Sequence, residues 1–264
     1  MLNFTPHKRN LRLKILEMYF SVNAGHIGCS LSCIDLLIAI FFKLKSKNDT
    51  FILSKGHAAA ALYSCLNATG EISNEDILTY YKDGTKLPAH PAPKTFDSIP
   101  FGTGSLGHGF PLAAGVAKAK KIKKENSFVY VLMSDGDTNE GTTWESAHFS
   151  SKNELNNLIV LIDKNKIQGF NKTEDAIGDT AQKEKWELMG FETIELTDGH
   201  DIKGIIKSVE LLKHSTSSKP KLIIANTIKG KGVSFMENTI DWHYWPMNEQ
   251  QYTEAIKEIN FNYA

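Results

Sequence analysis

Four short apolar runs in the second half of the chain leave few folds open. They are FVYVLMS (128–134), LIVLIDK (158–164), TIELT (193–197) and KLIIANT (221–227). Each has the length and branched, apolar character of a strand buried on both faces. Helical stretches near 141–154, 180–189 and 201–214 separate them. That alternation predicts an α/β fold, a parallel sheet with helices on both faces. The first third of the chain is helical by periodicity, roughly over 7–24, 31–45, 57–69 and 73–82, with Ile34, Leu37, Ile38 and Phe41 at helical spacing. Ser73 followed by Asp76 reads as a helix N-cap with an acid in the first turn. No repeat, low-complexity tract or Pro/Ser-rich linker divides the 264 residues. They suit one domain spanning 1–264 that ends in a short tail, PMNEQQYTEAIKEINFNYA.

Charge excludes some classes of function. Thirty Lys and Arg balance 30 Asp and Glu, so no net field draws in nucleic acid or an acidic membrane, and any anionic ligand must be held by local geometry. The N-terminal MLNFTPHKRNLRLK lacks the apolar core of a signal peptide, and no uninterrupted apolar run is expected to reach the ~20 residues that span a bilayer. Cys29, Cys33 and Cys65 are odd in number and lack a recurring spacing. They read as reduced, buried thiols rather than a zinc site, in a cytoplasmic protein.

In a parallel sheet, ligands bind beyond the carboxyl ends of the strands. This puts SDGDTNEG, DKNKIQGF, TDGHD and NTIKGKG along one edge. In the first of these, Gly136 permits a sharp turn and close approach by a ligand. A helix starting just after it would present amide donors to an anion. Asp135, at the strand end, offers an oxygen to a hard divalent cation. Asn165 stands thirty positions later, at the matching edge of the next strand. A carboxylate, an amide oxygen and a nearby backbone carbonyl suit Mg²⁺ when phosphate oxygens and water complete the shell. Either turn alone is also an ordinary way to end a strand; the pair is more specific.

SDGDTNEG followed by Asn165 resembles the thiamine-diphosphate fingerprint, Gly-Asp-Gly and then Asn about thirty residues on, with Ser134 in place of the first Gly. From about residue 8 to 245 the chain resembles the N-terminal, diphosphate-binding part of transketolase. The matching motifs are GHIGCSLSCIDLL with His26, FILSKGHAAAALY with His57, LPAHP with His90, the loop GTGSLGHG at 102–109, and TIKGKG…WHY with His243. In the loop, Ser105 and His108 stand where the family often has Pro and Gln, and Ala89 replaces the usual Gly before His90.

The resemblance implies that Asp135, Asn165 and the carbonyl of Ile167 hold Mg²⁺ (or Ca²⁺ or Mn²⁺ in its place), with Gly136 beside the diphosphate. It puts His57 and His243 at the diphosphate, His26 and His90 in the substrate channel, and Gly104, Ser105 and Leu106 against the cofactor's ring system. Glu140 falls at the dimer contact near the cofactor. His26, His90 and His243 become the candidates for proton transfer to and from sugar hydroxyls, a task imidazole can perform near neutrality. His108 has two open roles, in the proton network or as a cap for the next helix. His7, His148, His200 and His214 read as structural or exposed. The glutamate that activates the cofactor belongs, in this family, to a further pyrimidine-binding domain. The expectation is therefore one subunit of a split transketolase that acts on sugars or sugar phosphates. A separate C-terminal subunit would complete an A₂B₂ heterotetramer. The rival readings are the α chain of a 2-oxo-acid dehydrogenase, a deoxyxylulose-phosphate synthase and a non-catalytic scaffold.

Overall fold

The computed structural model describes residues 3–264. Five parallel strands, β1 (Thr50–Leu53), β2 (Val129–Ser134), β3 (Leu158–Lys164), β4 (Glu192–Leu196) and β5 (Lys221–Asn226), lie in the order β1-β2-β3-β5-β4. The helices are α1 (Thr5–Ser21), α2 (Ile27–Ala39), α3 (Ala59–Ala68), α4 (Asn74–Ile77), α5 (Gly109–Ile122), α6 (Gly141–Lys152), α7 (Thr173–Ile177), α8 (Lys183–Leu188), α9 (Ile202–Lys213) and α10 (Glu249–Asn262). Alternate residues of each central strand enter opposite cores. Ile159 and Leu161 of β3 join the cluster formed with α1, α2, α3 and α9. Leu158, Val160 and Ile162 join the one beneath α5, α6 and α8. Both faces of β2 and β3 are buried along their full length, which is why their sequences show no polar alternation.

Several elements depart from the sequence expectation. TIELT proves to be an edge strand with Glu195 turned outward, not a doubly buried one. The strand β1 has no counterpart among the sequence expectations; at four residues it is too short for periodicity to register. The helix expected over 73–82 ends at Ile77, although Ser73 caps it as read, accepting from the Asp76 amide at 3.0 Å. The tail is no tail. Asn248 and Gln251 form a capping box for α10, whose Ala255 and Ile259 are buried. One apolar stretch does approach membrane-spanning length: Ile27–Leu44 runs 18 residues at a mean hydropathy of 2.0, but 83% of it is buried inside the protein. Every residue of α2 is buried because the helix is covered on all sides by α1, α3, α9 and the sheet, so it reads as the core helix of the fold.

Candidate active site

β2 and β3 are neighbours, with Ser134 paired to Asp163, so the residues just beyond them share the carboxyl edge of the sheet. Asp135 and Asn165 are both buried there. Asp135 accepts from the Gly136 amide at 3.0 Å, the Lys166 amide at 2.6 Å and the Thr173 hydroxyl at 3.0 Å. No ion pair to Asp135 occurs among the described residues, and burial, with Asp163 close by, pushes its carboxyl up to about 6. Asn165 is held from beneath, its amide nitrogen donating to Ser32 Oγ at 3.0 Å while its oxygen accepts from the Ile167 amide at 3.1 Å. Between them Lys166 adopts φ +66°, a left-handed turn rare outside glycine. Below lies a buried ion pair, Lys55 with Asp163, which also takes the hydroxyl protons of Ser32 and Thr227.

The helix expected right after Gly136 starts later. A 3₁₀ turn, Gly136–Asn139, intervenes, and α6 begins at Gly141. The turn is pinned by Asp137, whose carboxylate accepts from the Ser134 amide and hydroxyl, both at 2.8 Å, the Ser54 hydroxyl at 2.6 Å and the Gly107 amide at 2.8 Å. Asp137 thereby joins β2, the end of β1 and the 102–109 loop. That loop packs too tightly for side chains at its glycines. At Gly107, where φ is +75°, a Cβ would stand 2.5 Å from that of Glu140, and at Gly104 it would stand 3.0 Å from the His90 ring. Leu106 lies against Gly136. Ser105 and Glu140 are exposed beside these contacts. His108 does not cap the next helix: its ring turns back to the Leu106 carbonyl at 3.0 Å and makes no side-chain cap to α5.

His26, His57, His90 and His243 come from four separate segments and converge. Ring centroids lie 5.0 Å apart for His26–His243, 5.6 Å for His57–His243, 5.9 Å for His26–His57 and 6.0 Å for His26–His90. His26 caps α2 at φ +75°, its amide donating to the His243 carbonyl at 2.9 Å. Burial first, then His243, His90 and Lys229, lowers His26 to about 4; burial, Lys229 and Lys55 take His243 to about 3. Desolvation also lowers His57 and His90. All four rings are neutral at pH 7, ready to donate from one nitrogen and accept at the other.

The other histidines stay apart. His200 is buried with Nδ1 on Asp35 at 2.9 Å and Nε2 accepting from the Ile228 amide at 2.9 Å, an arrangement that leaves no nitrogen for chemistry. His7 packs edge-on to Phe42, and His148 and His214 are exposed. Three residues that sequence reasoning passed over also belong to the site: Lys55, Lys229 and Cys29. Burial raises the Cys29 thiol, but His57, Lys229 and Lys55 outweigh it and bring it to about 7. Their only sequence signal is position, inside the motifs quoted for neighbouring histidines.

The donor set fits a magnesium diphosphate. Three hard oxygens belong to residues at one sheet edge that line the same cleft: the Asp135 carboxylate, which has no ion pair among the described residues, the Asn165 amide and the Ile167 carbonyl. Beside Gly136, the Gln168 side-chain nitrogen is a buried donor with no partner among the described residues. A cleft of about 1060 Å³, lined in part by Asp135, Asn165, Ile167, Thr173 and Thr227, opens alongside. The free thiols Cys29, Cys33 and Cys65 are all buried, and among the described residues no cluster of three or more His, Cys, Asp or Glu forms a metal site.

Residues 7–264 match the family described as transketolase, thiamine diphosphate binding domain. An apulose-4-phosphate transketolase subunit from Phocaeicola vulgatus is 36% identical over 258 residues, covering 94% of this chain and 91% of that protein. A 6-deoxy-6-sulfo-D-fructose transketolase subunit from Clostridium sp. is 34% identical over 263 residues, covering 96% and 95%. The crystal structure of transketolase from Campylobacter jejuni superimposes with a TM-score of 0.88 at 31% identity; the match covers 98% of this chain but only 43% of that one.

Proposed function

Since the chain belongs to the transketolase family, we propose that it is the diphosphate-binding subunit of a two-chain, thiamine-diphosphate-dependent transketolase. It would transfer a two-carbon ketol unit from a ketose or ketose phosphate to an aldose. The observation that carries this reading is the placement of Asp135 and Asn165 just beyond the ends of the paired strands β2 and β3, in a site that Lys229 links to the four convergent histidines. Asp135, Asn165 and the Ile167 carbonyl would hold Mg²⁺, while Gly136, His57, His243 and Asn165 face the diphosphate. When bound, thiamine diphosphate supplies the carbon nucleophile and electron sink that a ketose carbon–carbon bond needs for cleavage.

The residues of this chain then bind, orient and move protons. His26, His90 and His243, neutral at pH 7, exchange protons with sugar hydroxyls, each within the range of roughly 10²–10⁴ in rate expected of a positioned acid or base. Gly104, Ser105 and Leu106 form the floor of the 102–109 loop beside Gly136, where the cofactor's rings would lie. The partner is a separate subunit carrying the pyrimidine-binding domain, and two such pairs assemble as A₂B₂. Three observations support the partner. Relatives of nearly equal length are named as transketolase subunits. Phe170, Tyr244 and Trp245 expose aromatic surface close to His243. Glu140 is exposed next to the 102–109 loop. The buried free thiols are in keeping with a cytoplasmic setting.

Calorimetry with Mg²⁺ and thiamine diphosphate tests the site. Asp135→Ala removes the carboxylate that bridges to the cation, and the cofactor affinity of the complex should fall at least tenfold. Unchanged affinity would remove the assignment.

A further inference from the structure

Ser32 of α2 is buried, and its hydroxyl is enclosed between the Asp163 carboxylate and the Asn165 side-chain amide. Donor and acceptor are fixed here by the groups themselves. Asp163 is ion-paired with Lys55, both of them fully buried, and it also accepts from the Thr227 hydroxyl. An ionised carboxylate only accepts, so the single Ser32 proton goes to Asp163. Ser32 Oγ is left with lone pairs, which only a donor can meet. The Asn165 atom 3.0 Å from it is therefore the amide nitrogen, and the amide oxygen faces away. The other end of the amide agrees, since it lies 3.1 Å from the Ile167 amide nitrogen, where an NH₂ group would meet another N–H.

We propose that Ser32 is a positioning residue that holds the Asn165 amide with its oxygen turned to the sheet edge, where a hard cation would take it. The inference rests on the functional reading for the cation; the direction of the amide stands on the hydrogen bonds alone. An amide oxygen has two lone pairs. The Ile167 amide uses one, and the second stays free for a cation beside Asp135. The amide nitrogen has one further acceptor, Asp163 at 3.4 Å, longer than an ordinary N–H···O bond. Without the serine hydroxyl, that carboxylate is the acceptor left to the amide among the described residues. An amide that swings toward it draws its oxygen off the edge. The same helix has His26 at its N-cap, so α2 carries a histidine of the cluster at its start and supports the cation edge roughly a turn and a half later. Ser32 and Asn165 stand 133 residues apart in the chain, and no local motif announces the pair.

NMR on the full chain labelled with ¹⁵N-asparagine reads the amide directly, with the Asn165 side chain assigned by difference from Asn165→Ala. In the cation-free wild type, its NH₂ protons should show stronger nuclear Overhauser contacts to the Ser32 β protons than to the Ile167 amide proton. The reverse pattern overturns the inference. Calorimetry on the two-chain complex reads the consequence for the cation. Ser32→Ala should weaken Mg²⁺ binding in the presence of thiamine diphosphate about tenfold, the scale of one lost hydrogen bond. In an Asn165→Ala background the same change should cost nothing, since no amide remains to be turned. Equal losses in the two backgrounds, as a purely structural serine would give, or no loss in either, overturn the inference. If Ser32→Ala does not fold, the wild-type contacts still decide. Those contacts involve neither Mg²⁺ nor thiamine diphosphate. Failure of the wild type to bind the cofactor would retire the functional reading alone, and a reversed amide would retire this inference alone.

Discussion

Asp135 and Asp137 flank Gly136 and are both buried, but their partners separate their tasks. Asp137 is saturated by four donors from three segments. Asp135 takes three donors and has no ion pair among the described residues. Removing Asp137 leaves buried amides at Ser134 and Gly107 unsatisfied, at about 1–3 kcal/mol each. Asp137→Ala should therefore lower the stability measured in urea by about 3 kcal/mol; a loss under about 1 kcal/mol would show that the bracket is not needed. The raised Asp135 carboxyl makes a pH-dependent prediction. A carboxyl whose folded value lies above its ordinary one stabilises the fold at low pH, and that stability is lost as pH rises through the folded value, here about 6. Between about pH 4 and 6 the cation-free chain should lose on the order of 2 kcal/mol from this group. Mg²⁺ binds the ionised form, so the gain in Tm on adding Mg²⁺ with thiamine diphosphate should be larger at about pH 8 than at about pH 5. Equal gains would contradict the assignment of Asp135 as cation ligand.

Helix α10 closes the fold against α1. Tyr252 stacks on Phe20 with ring centroids 4.0 Å apart, Ile259 is fully buried, and Arg12 lies 4.6 Å above the Tyr263 ring. Ile259→Ala should cost about 2–4 kcal/mol in urea denaturation through the cavity it leaves, with cofactor binding unaltered. A cost below about 1 kcal/mol would mean that the helix is loosely docked. Its sequence reads as a tail because charged and amide residues dominate it and only two of its positions, Ala255 and Ile259, are fully buried. At the other extreme, β2, β3 and β5 are legible to within a residue or two, since strands buried on both faces announce themselves as apolar runs. The four-residue β1 offers too few positions for a pattern. The site divides in the same way. Asp135, Asn165 and the histidines can be read because spacing and order identify them. Asp137, Lys55 and Lys229 cannot, because their importance lies in partners up to 108 residues away in the chain, such as Asp163 for Lys55.

Across the whole molecule, one sheet edge gathers Asp135, Asn165, the four histidines and the 102–109 loop, and it leaves aromatic surface exposed around them. This chain spans about two fifths of the length of the solved transketolase it matches. On the proposed reading, the group that activates the cofactor and most of the grip on the sugar come from the second subunit. The most direct measurement is ketol transfer between a ketose donor and an aldose acceptor, with thiamine diphosphate and Mg²⁺ supplied. It is made on this chain by itself and on its mixture with the subunit carrying the pyrimidine-binding domain. The account predicts no transfer by either chain on its own and restored transfer by the mixture, titrating to equal amounts of the two. Full transfer by this chain by itself would contradict it.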